Sequence, residues 1–185
     1  MEEQNNEIKI GEINGRSIWG LIFCRSFTEY GKFYGAVKEI DNCKPKMVYG
    51  RSKLKASKFL LDKFYKNKFP VTILRFFQVY GPYQDPNSEY SAVIPIFIRQ
   101  ALENKRIRIF GDGSTSRDFT FIEDVIQANL RAALSTKSDG HVVNVAYGDR
   151  FTLTELADKI TDNIGSNSTI EYSDFRKGDV LHSLA

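Results

Sequence analysis

Tyr49 and Lys53 are the residues of this 185-residue chain whose types and spacing point most directly to chemistry. Positions i and i+4 of a helix share one face, so a tyrosine and a lysine so spaced can meet. An ammonium beside a phenol favours the phenolate and lowers its pKa from the ordinary value of about 10. A phenol tuned in that way can take a proton from a hydroxyl as a general base. The same spacing also fits an exposed helix turn with no chemistry, and the pair alone leaves both readings open. Ser26 is a second candidate, and alone it reads equally as a hydroxyl capping a turn at a strand end.

The elements that must position these residues follow from hydrophobic pattern. Residues 18–24 form a short apolar run, which predicts a strand buried on both faces of a parallel sheet. A polar turn over 25–31 follows at its C-terminal end, where open α/β sheets bind ligands. Leu54, Leu60, Leu61, Phe64 and Tyr65 recur at helical spacing within 49–68, and Pro70 marks the end of that helix. Residues 71–77 predict a second buried strand, so strand, helix and strand make a βαβ unit with a right-handed crossover. Beyond it the pattern predicts a loop over 78–91, a helix over 93–104, a strand over 106–110, a flexible loop over 111–116 and a strand over 118–121. A helix over 122–135 should turn Val125, Ile126, Leu130 and Ala133 to one side. A strand over 141–146 precedes a helix opened by the capping box of Thr152 and Glu155. A short strand over 169–172 and a loop over 175–180 follow.

Composition narrows the function classes. With 42% hydrophobic and 26% charged residues the balance is that of a soluble globular domain. The net charge of +3 is spread along the chain, with no basic block that would suit nucleic acid. No apolar run approaches the length of a membrane span, and no signal peptide is visible. Cys24 and Cys43 show neither metal nor disulfide spacing and read as reduced thiols of a cytoplasmic protein. No metal site is expected.

Taken together, the stretches resemble one family. Ser26 with Tyr30-Gly31 after a strand, Tyr49-Gly50-Arg51-Ser52-Lys53, Leu74-Arg75-Phe76-Phe77-Gln78-Val79-Tyr80-Gly81-Pro82, Arg117-Asp118-Phe119-Thr120-Phe121, and Asn144-Val145 with Gly148, Thr152 and Glu155-Leu156 occur in the order of the extended short-chain dehydrogenase/reductases that act on nucleotide sugars. Within that family, Gln84 to Asn87 with Tyr90 to Pro95, Gly113 to Phe119, and the C-terminal stretch from Asp174 look like the NAD-dependent 4-epimerases for UDP-N-acetylhexosamines and UDP-glucose. The resemblance implies an α/β fold: a partial Rossmann-like domain lacking its first βαβ units, with a smaller substrate-binding α/β region. Residues 1–17 would be a loose segment and 18–80 the remaining half of the cofactor domain. Residues 81–185 would mainly bind substrate, with 119–146 returning to the Rossmann side.

The resemblance also implies roles. Tyr49 would take the proton of the sugar's 4-hydroxyl while the C4 hydride passes to NAD, and hydride would return to the opposite face of the 4-keto sugar. Lys53 would lower the Tyr49 pKa and bond the nicotinamide ribose, Ser26 would bond the substrate oxygen, and Phe76 would lie at the cofactor. Thr28, Gln78, Gln84 and Ser183 would contact the hexose, while Ala92 and Val93 leave room for an N-acetyl group. Arg117 and Arg176 offer the planar donor forks that suit a diphosphate. Asp179 would bind a uridine ribose hydroxyl or brace an arginine. Asp118 and Asp124 read as structural and His182 as a loop residue. A homodimer through the Tyr49 helix is the family's habit.

Several departures stand out. No G-x-x-G-x-x-G turn holds the NAD pyrophosphate, and the chain is expected to be a fragment, a truncated product or a chain that needs a partner. Arg25 replaces a small serine, Gln78 an asparagine, and Met47 stands near the usual serine or proline, which together fit relaxed constraint. A 4,6-dehydratase would carry Asp-Glu where this chain has Phe27 and Thr28. The readings are therefore a 4-epimerase, with the isolated chain inactive, a non-catalytic nucleotide-sugar-binding remnant, and, least favoured, a dehydratase or reductase.

Overall fold

The computed structural model describes residues 12–13, 16–17, 20–31, 35–88, 91–175 and 181–185, the first two pairs by backbone alone. In chain order the strands and helices are β1 (Glu12–Ile13), β2 (Arg16–Ser17), β3 (Leu21–Ser26), α1 (Val48–Asn67), β4 (Val71–Phe76), β5 (Gln78–Tyr80), α2 (Val93–Leu102), β6 (Ile107–Phe110), β7 (Ser116–Arg117), β8 (Phe119–Phe121), α3 (Ile122–Leu134), β9 (Val142–Val145), β10 (Phe151–Thr152), α4 (Leu153–Ile164) and β11 (Ile170–Ser173). A 3-10 turn, Phe27–Glu29, follows β3 directly.

A parallel sheet in the order β3-β4-β9 positions the candidate catalytic residues. Its register sets Ser26 opposite Phe76 and Phe76 opposite Val145, so the C-terminal ends of all three strands share one edge. Side chains alternate faces along β4. Leu74 and Phe76 pack with Val125 of α3, while Arg75 points to the opposite face, where α1 lies. The sheet is thus covered by α1 on one face and α3 on the other. This is the mixed α/β architecture expected, with parallel strands at its centre.

A second unit carries its own core. The parallel pair β6–β11 is covered by α2 and α4, and Phe97, Ala101, Ile107, Ile109 and Ala157 are buried between them. Phe97, Ile107 and Ile109 each contribute about 1.5–3 kcal/mol on burial. The capping box opens α4 as expected: Thr152 Oγ1 accepts the Glu155 amide at 3.1 Å, and Glu155 Oε2 accepts the Thr152 amide at 2.8 Å. The two-stranded pairs β5–β8 and β7–β10 link this unit to the sheet.

Three expectations are corrected. The segment after β3 is not a polar turn, for β3 runs through Arg25 and Ser26, and Phe27, Glu29 and Tyr30 are buried. The loop over 111–116 is tied down at its end, where the buried Thr115 and Ser116 lead into β7, paired with β10. On α3 the buried side is Ile122, Val125, Ala128 and Ala132, whereas Ile126 and Leu130 are exposed. Sheet contact, rather than side-chain size, decides which stripe faces inward.

Charge explains the buried turn. Glu29 is fully buried and lies between two buried arginines. Arg25 Nε donates to Glu29 Oε1 at 2.8 Å, and Arg75 Nε donates to Oε2 at 3.0 Å. Ser57 Oγ of α1 donates to Oε1 at 3.1 Å. Arg75 also donates to the Tyr30 hydroxyl at 2.9 Å, which in turn donates to Asn144 Oδ1 at 2.7 Å. One carboxylate therefore joins β3, the turn, α1 and β4, and its relay reaches β9. Removing one partner of a buried ion pair leaves uncompensated charge. Glu29→Gln should lower unfolding free energy by about 3–5 kcal/mol in urea titration; a loss below about 1 kcal/mol, the range of exposed pairs, would show that the cluster is not the clamp described.

Candidate active site

The candidate site lies at the C-terminal edge of the parallel strands. Ser26 ends β3 there, and its Oγ accepts the Thr28 amide at 3.3 Å and the Thr28 hydroxyl at 3.1 Å. The hydroxyl is thus held by its own turn. Tyr49 and Lys53 stand on the first turns of α1, with Lys53 Nζ 5.2 Å from the centroid of the Tyr49 ring. The Tyr49 side chain is 55% exposed, so its phenol is open to a ligand.

Gly50 brings the two parts together. A Cβ on Gly50 would stand 2.7 Å from the Thr28 carbonyl oxygen and 2.8 Å from Pro45 Cβ. Only a residue without a side chain lets the first turn of α1 close on the turn that carries Ser26 and Thr28. Farther along, the Phe64 ring of α1 packs over Gly140, whose φ of +75° and missing Cβ both require glycine. Helix α1 is thus seated at both ends, and Ser57 ties its middle to Glu29.

Beside this edge is a cleft of about 460 Å³ walled by α2, β6 and the start of α4. Gln78, Ala92, Val93 and Arg117 line it, four of the residues marked in the sequence for substrate. Ala92 is the N-cap residue of α2, so it and Val93 line the cleft where that helix begins. Arg117 Nη1 donates to the carbonyls of Ser116 at 3.0 Å and Leu181 at 3.1 Å, which fixes its guanidinium at the wall. Arg108, Thr115 and Gln100 also line the cleft, and no motif drew attention to them.

Other expected residues lie elsewhere. Gln84 spends its amide on its own loop, accepting from the Gly81 amide and donating to the Val79 carbonyl, each at 3.3 Å. Ser183 is fully buried, and its Oγ accepts the Asp118 amide at 3.1 Å, so it braces the C-terminal segment instead of lining the cleft. Phe76 packs into the apolar cluster of Leu74, Val125 and Val145. Arg176 and Asp179 lie outside the described residues.

Asp118 is the strongest bracing group here. Its carboxylate accepts the amides of Tyr147, Gly148 and Ala185 at 2.9, 3.2 and 3.3 Å. Burial nevertheless pushes its carboxyl above the usual range, outweighing these donors. Burial likewise raises the Tyr30 phenol against the pull of Arg75, consistent with a hydroxyl that donates to Asn144. Among the described residues no group of three His, Cys, Asp or Glu side chains is placed to hold a metal, and no helix is long and apolar enough to cross a membrane.

The sequence reading missed the Arg25–Glu29–Arg75 cluster. Two signals were present: an arginine inside the apolar run of β4, and an Arg–Glu pair at four-residue spacing. A charge in a buried strand demands a counter-charge.

Comparison with known proteins adds the family. The model of the NAD dependent epimerase/dehydratase family matches residues 12–146. An uncharacterized UDP-glucose epimerase of Bacillus subtilis, YtcB, is 34% identical over 91% of this chain and 52% of its own length. The UDP-N-acetylglucosamine 4-epimerase of Methanobrevibacter ruminantium M1, solved with UDP-N-acetylmuramic acid, is 38% identical with a TM-score of 0.81, over 89% of this chain and 53% of that one. The UDP-glucuronic acid 4-epimerase of Bacillus cereus, solved with UDP-glucuronic acid and NAD, is 30% identical with a TM-score of 0.81, over 89% and 51%. Relatives also include dTDP-D-glucose 4,6-dehydratases. The chain spans about half the length of the relatives it matches. Over that span, with its parallel sheet, its Tyr49–Lys53 helix and its cleft, the chain belongs to the NAD dependent epimerase/dehydratase family.

Proposed function

We propose that the chain binds a UDP-hexose along this edge and carries the proton-handling residues for its epimerisation at C4. The observation that carries the reading is the close approach at Gly50, which sets the Ser26 turn against the helix of Tyr49 and Lys53 beside the cleft. Tyr49 takes the proton of the sugar's 4-hydroxyl and returns it to the product oxygen. Lys53, whose ammonium stands beside the Tyr49 ring, would bond the nicotinamide ribose, and Ser26 bonds the substrate oxygen. Gln78 and Thr28 meet the hexose, and Ala92 and Val93 leave room for an N-acetyl group. Arg117 meets the diphosphate, joined by Arg176, with Asp179 at the uridine ribose. Ser183 and Gln84 have no direct part, since their polar atoms already serve the fold.

A bound NAD would supply the acceptor, and then the donor, for the C4 hydride. Its fit to this chain is partial. Tyr49 and Lys53 suit the nicotinamide end, whereas Phe76, expected there, packs on the α3 face of the sheet. No G-x-x-G-x-x-G occurs in the sequence, and β3 has β4 as its sole strand partner among the described residues. Among the described residues no strand, turn and helix N-terminus cradles a pyrophosphate. We therefore propose that the chain alone binds the UDP-sugar without turning it over.

A dehydratase reading is not favoured. Elimination of water needs an acid and a base at C5 and C6, and the position after Ser26 is Phe27. That ring is buried and stacked on Phe77 with centroids 5.4 Å apart, and it cannot pass a proton.

Titration calorimetry of the purified chain should show UDP binding, and denaturation should release no NAD. Absence of UDP binding would overturn the reading of the cleft, and near-stoichiometric NAD would overturn the inactivity of the chain alone. We also propose pairing of two copies through α1, where Val48, Phe59 and Tyr65 are exposed. Light scattering at micromolar concentration should give twice the chain mass, and Phe59→Asp should return it to one; a monomeric wild type would end this proposal.

A further inference from the structure

Thr115 differs from the other buried serines and threonines. Ser57, Thr72, Ser116, Thr120 and Ser183 are buried, and the hydroxyl of each is hydrogen-bonded to another group of the fold. Thr115 is 5% exposed, and its hydroxyl bonds nothing among the described residues. The side-chain atoms there that are both sealed from solvent and without a hydrogen bond are Arg25 Nη2 and Gln100 Oε1, so the Thr115 hydroxyl keeps its contact with water. Thr115 lines the cleft, and the contact opens there. Buried polar groups are bonded as a rule, and one left open to a cleft marks a place for a ligand atom.

Its neighbours say what that atom belongs to. The ladder of β7 and β10 extends to Thr115, whose carbonyl accepts the Leu153 amide at 2.9 Å. Side chains alternate along such a strand. Ser116 turns to the C-terminal segment, where its Oγ lies 2.8 Å from His182 Nδ1. Thr115 and Arg117 therefore share the opposite side, about 6.5 Å apart along the strand, and both line the cleft. Arg108 lines it too, and among the described residues no carboxylate does. The wall is thus positive around an unused hydroxyl. A phosphate oxygen only accepts hydrogen bonds, and a hydroxyl gives it a short, charge-assisted one. A diphosphate is long enough to meet a guanidinium and a hydroxyl so spaced at the same time.

We propose that Thr115 is a substrate-binding residue, its hydroxyl donating to a phosphate oxygen of the nucleoside diphosphate beside the Arg117 guanidinium. The proposal rests on the UDP-hexose reading above. The pinned carbonyl of Thr115 holds the donor in place before the ligand arrives, so little order is lost on binding.

The test is titration calorimetry of the whole chain with UDP. Thr115→Val keeps the shape and removes the donor, and it should bind UDP about tenfold less tightly, the size expected for one hydrogen bond to a charged group. Thr115→Ala should show the same loss and decides the matter if the Val variant does not fold. Thr115→Ser keeps the hydroxyl and should bind UDP within about threefold of the wild type. Uridine lacks the phosphates and should give equal saturation-transfer NMR signals with the wild type and with Thr115→Val. Undiminished UDP binding by the hydroxyl-free variants overturns the assignment and leaves the UDP-hexose reading standing. A uridine signal that falls in Thr115→Val overturns the placement at the phosphate. A loss in Thr115→Ser as large as in Thr115→Val shows that shape and not the donor matters, and overturns it too. A wild type that does not bind UDP brings down the reading of the cleft and this assignment with it.

Discussion

One carboxylate holds the candidate site in shape. Glu29 sits between Arg25 and Arg75 with no exposure to water, and Ser57 adds a bond from the helix that carries Tyr49 and Lys53. Burying three charges costs several kcal/mol per ion, and only close geometry with extra donors recovers it. Here both carboxylate oxygens accept nitrogen donors. The surplus positive charge is met by the Tyr30 hydroxyl and by aromatic faces, with Arg75 4.7 Å from the Tyr30 ring centroid and Arg25 4.5 Å from that of Phe23. An apolar cluster of equal volume could hold the same elements together with equal stability. It could not fix their relative position so narrowly, because dispersion contacts tolerate sliding and charged hydrogen bonds do not. The cluster is thus best understood as a device for placement: it sets the turn of Ser26, the helix of Tyr49 and the strand end of Phe76 in one frame.

The frame was largely legible from pattern. The apolar runs of β4 and β9, the helical spacing of α1 and the capping box of α4 each rest on local rules, and each element formed close to its expected bounds. What escaped notice was set by partners distant in sequence. The short strands β5 and β10 exist because β8 and β7 lie beside them, and neither has a local signature. The inward side of α3 depends on which stripe meets β4, so Ile126 and Leu130 were misjudged from hydrophobicity alone. For the site, motif spacing marked Tyr49, Lys53 and Ser26 as candidates, and four other marked residues line the cleft. It could not tell that the Ser183 hydroxyl is engaged by Asp118, or that Gln84 closes its own loop, because both depend on where carbonyls and amides end up in space.

The division of labour between rigid and adaptable parts follows the chemistry. Proton transfer demands heavy-atom distances held within tenths of an ångström, and the groups proposed for it stand on a helix seated by Gly50, Ser57 and Phe64. Holding a long nucleotide, the role proposed for the cleft, demands instead a series of modest contacts along a wall, and the cleft is lined by residues from α2, β6, β7 and the start of α4. Asp118 connects several segments: its carbonyl accepts the Gln78 amide at β5, its amide donates to Ser183, and its carboxylate gathers Tyr147, Gly148 and Ala185. Its raised pKa is the cost of that service in a buried place.

Arg25 then takes on a different meaning from the one its sequence suggests. Where the family resemblance leads one to expect a small serine, an arginine looks like drift under relaxed constraint. A guanidinium arriving by drift at a buried position would lack a counter-charge and would cost several kcal/mol. Arg25 has one, at 2.8 Å, four residues along the chain and already shared with Arg75. The substitution is therefore integrated into the cluster that positions Ser26. A chain whose site was free to decay would have no physical reason to keep a buried arginine, its carboxylate and the Ser57 bond mutually satisfied around that one turn.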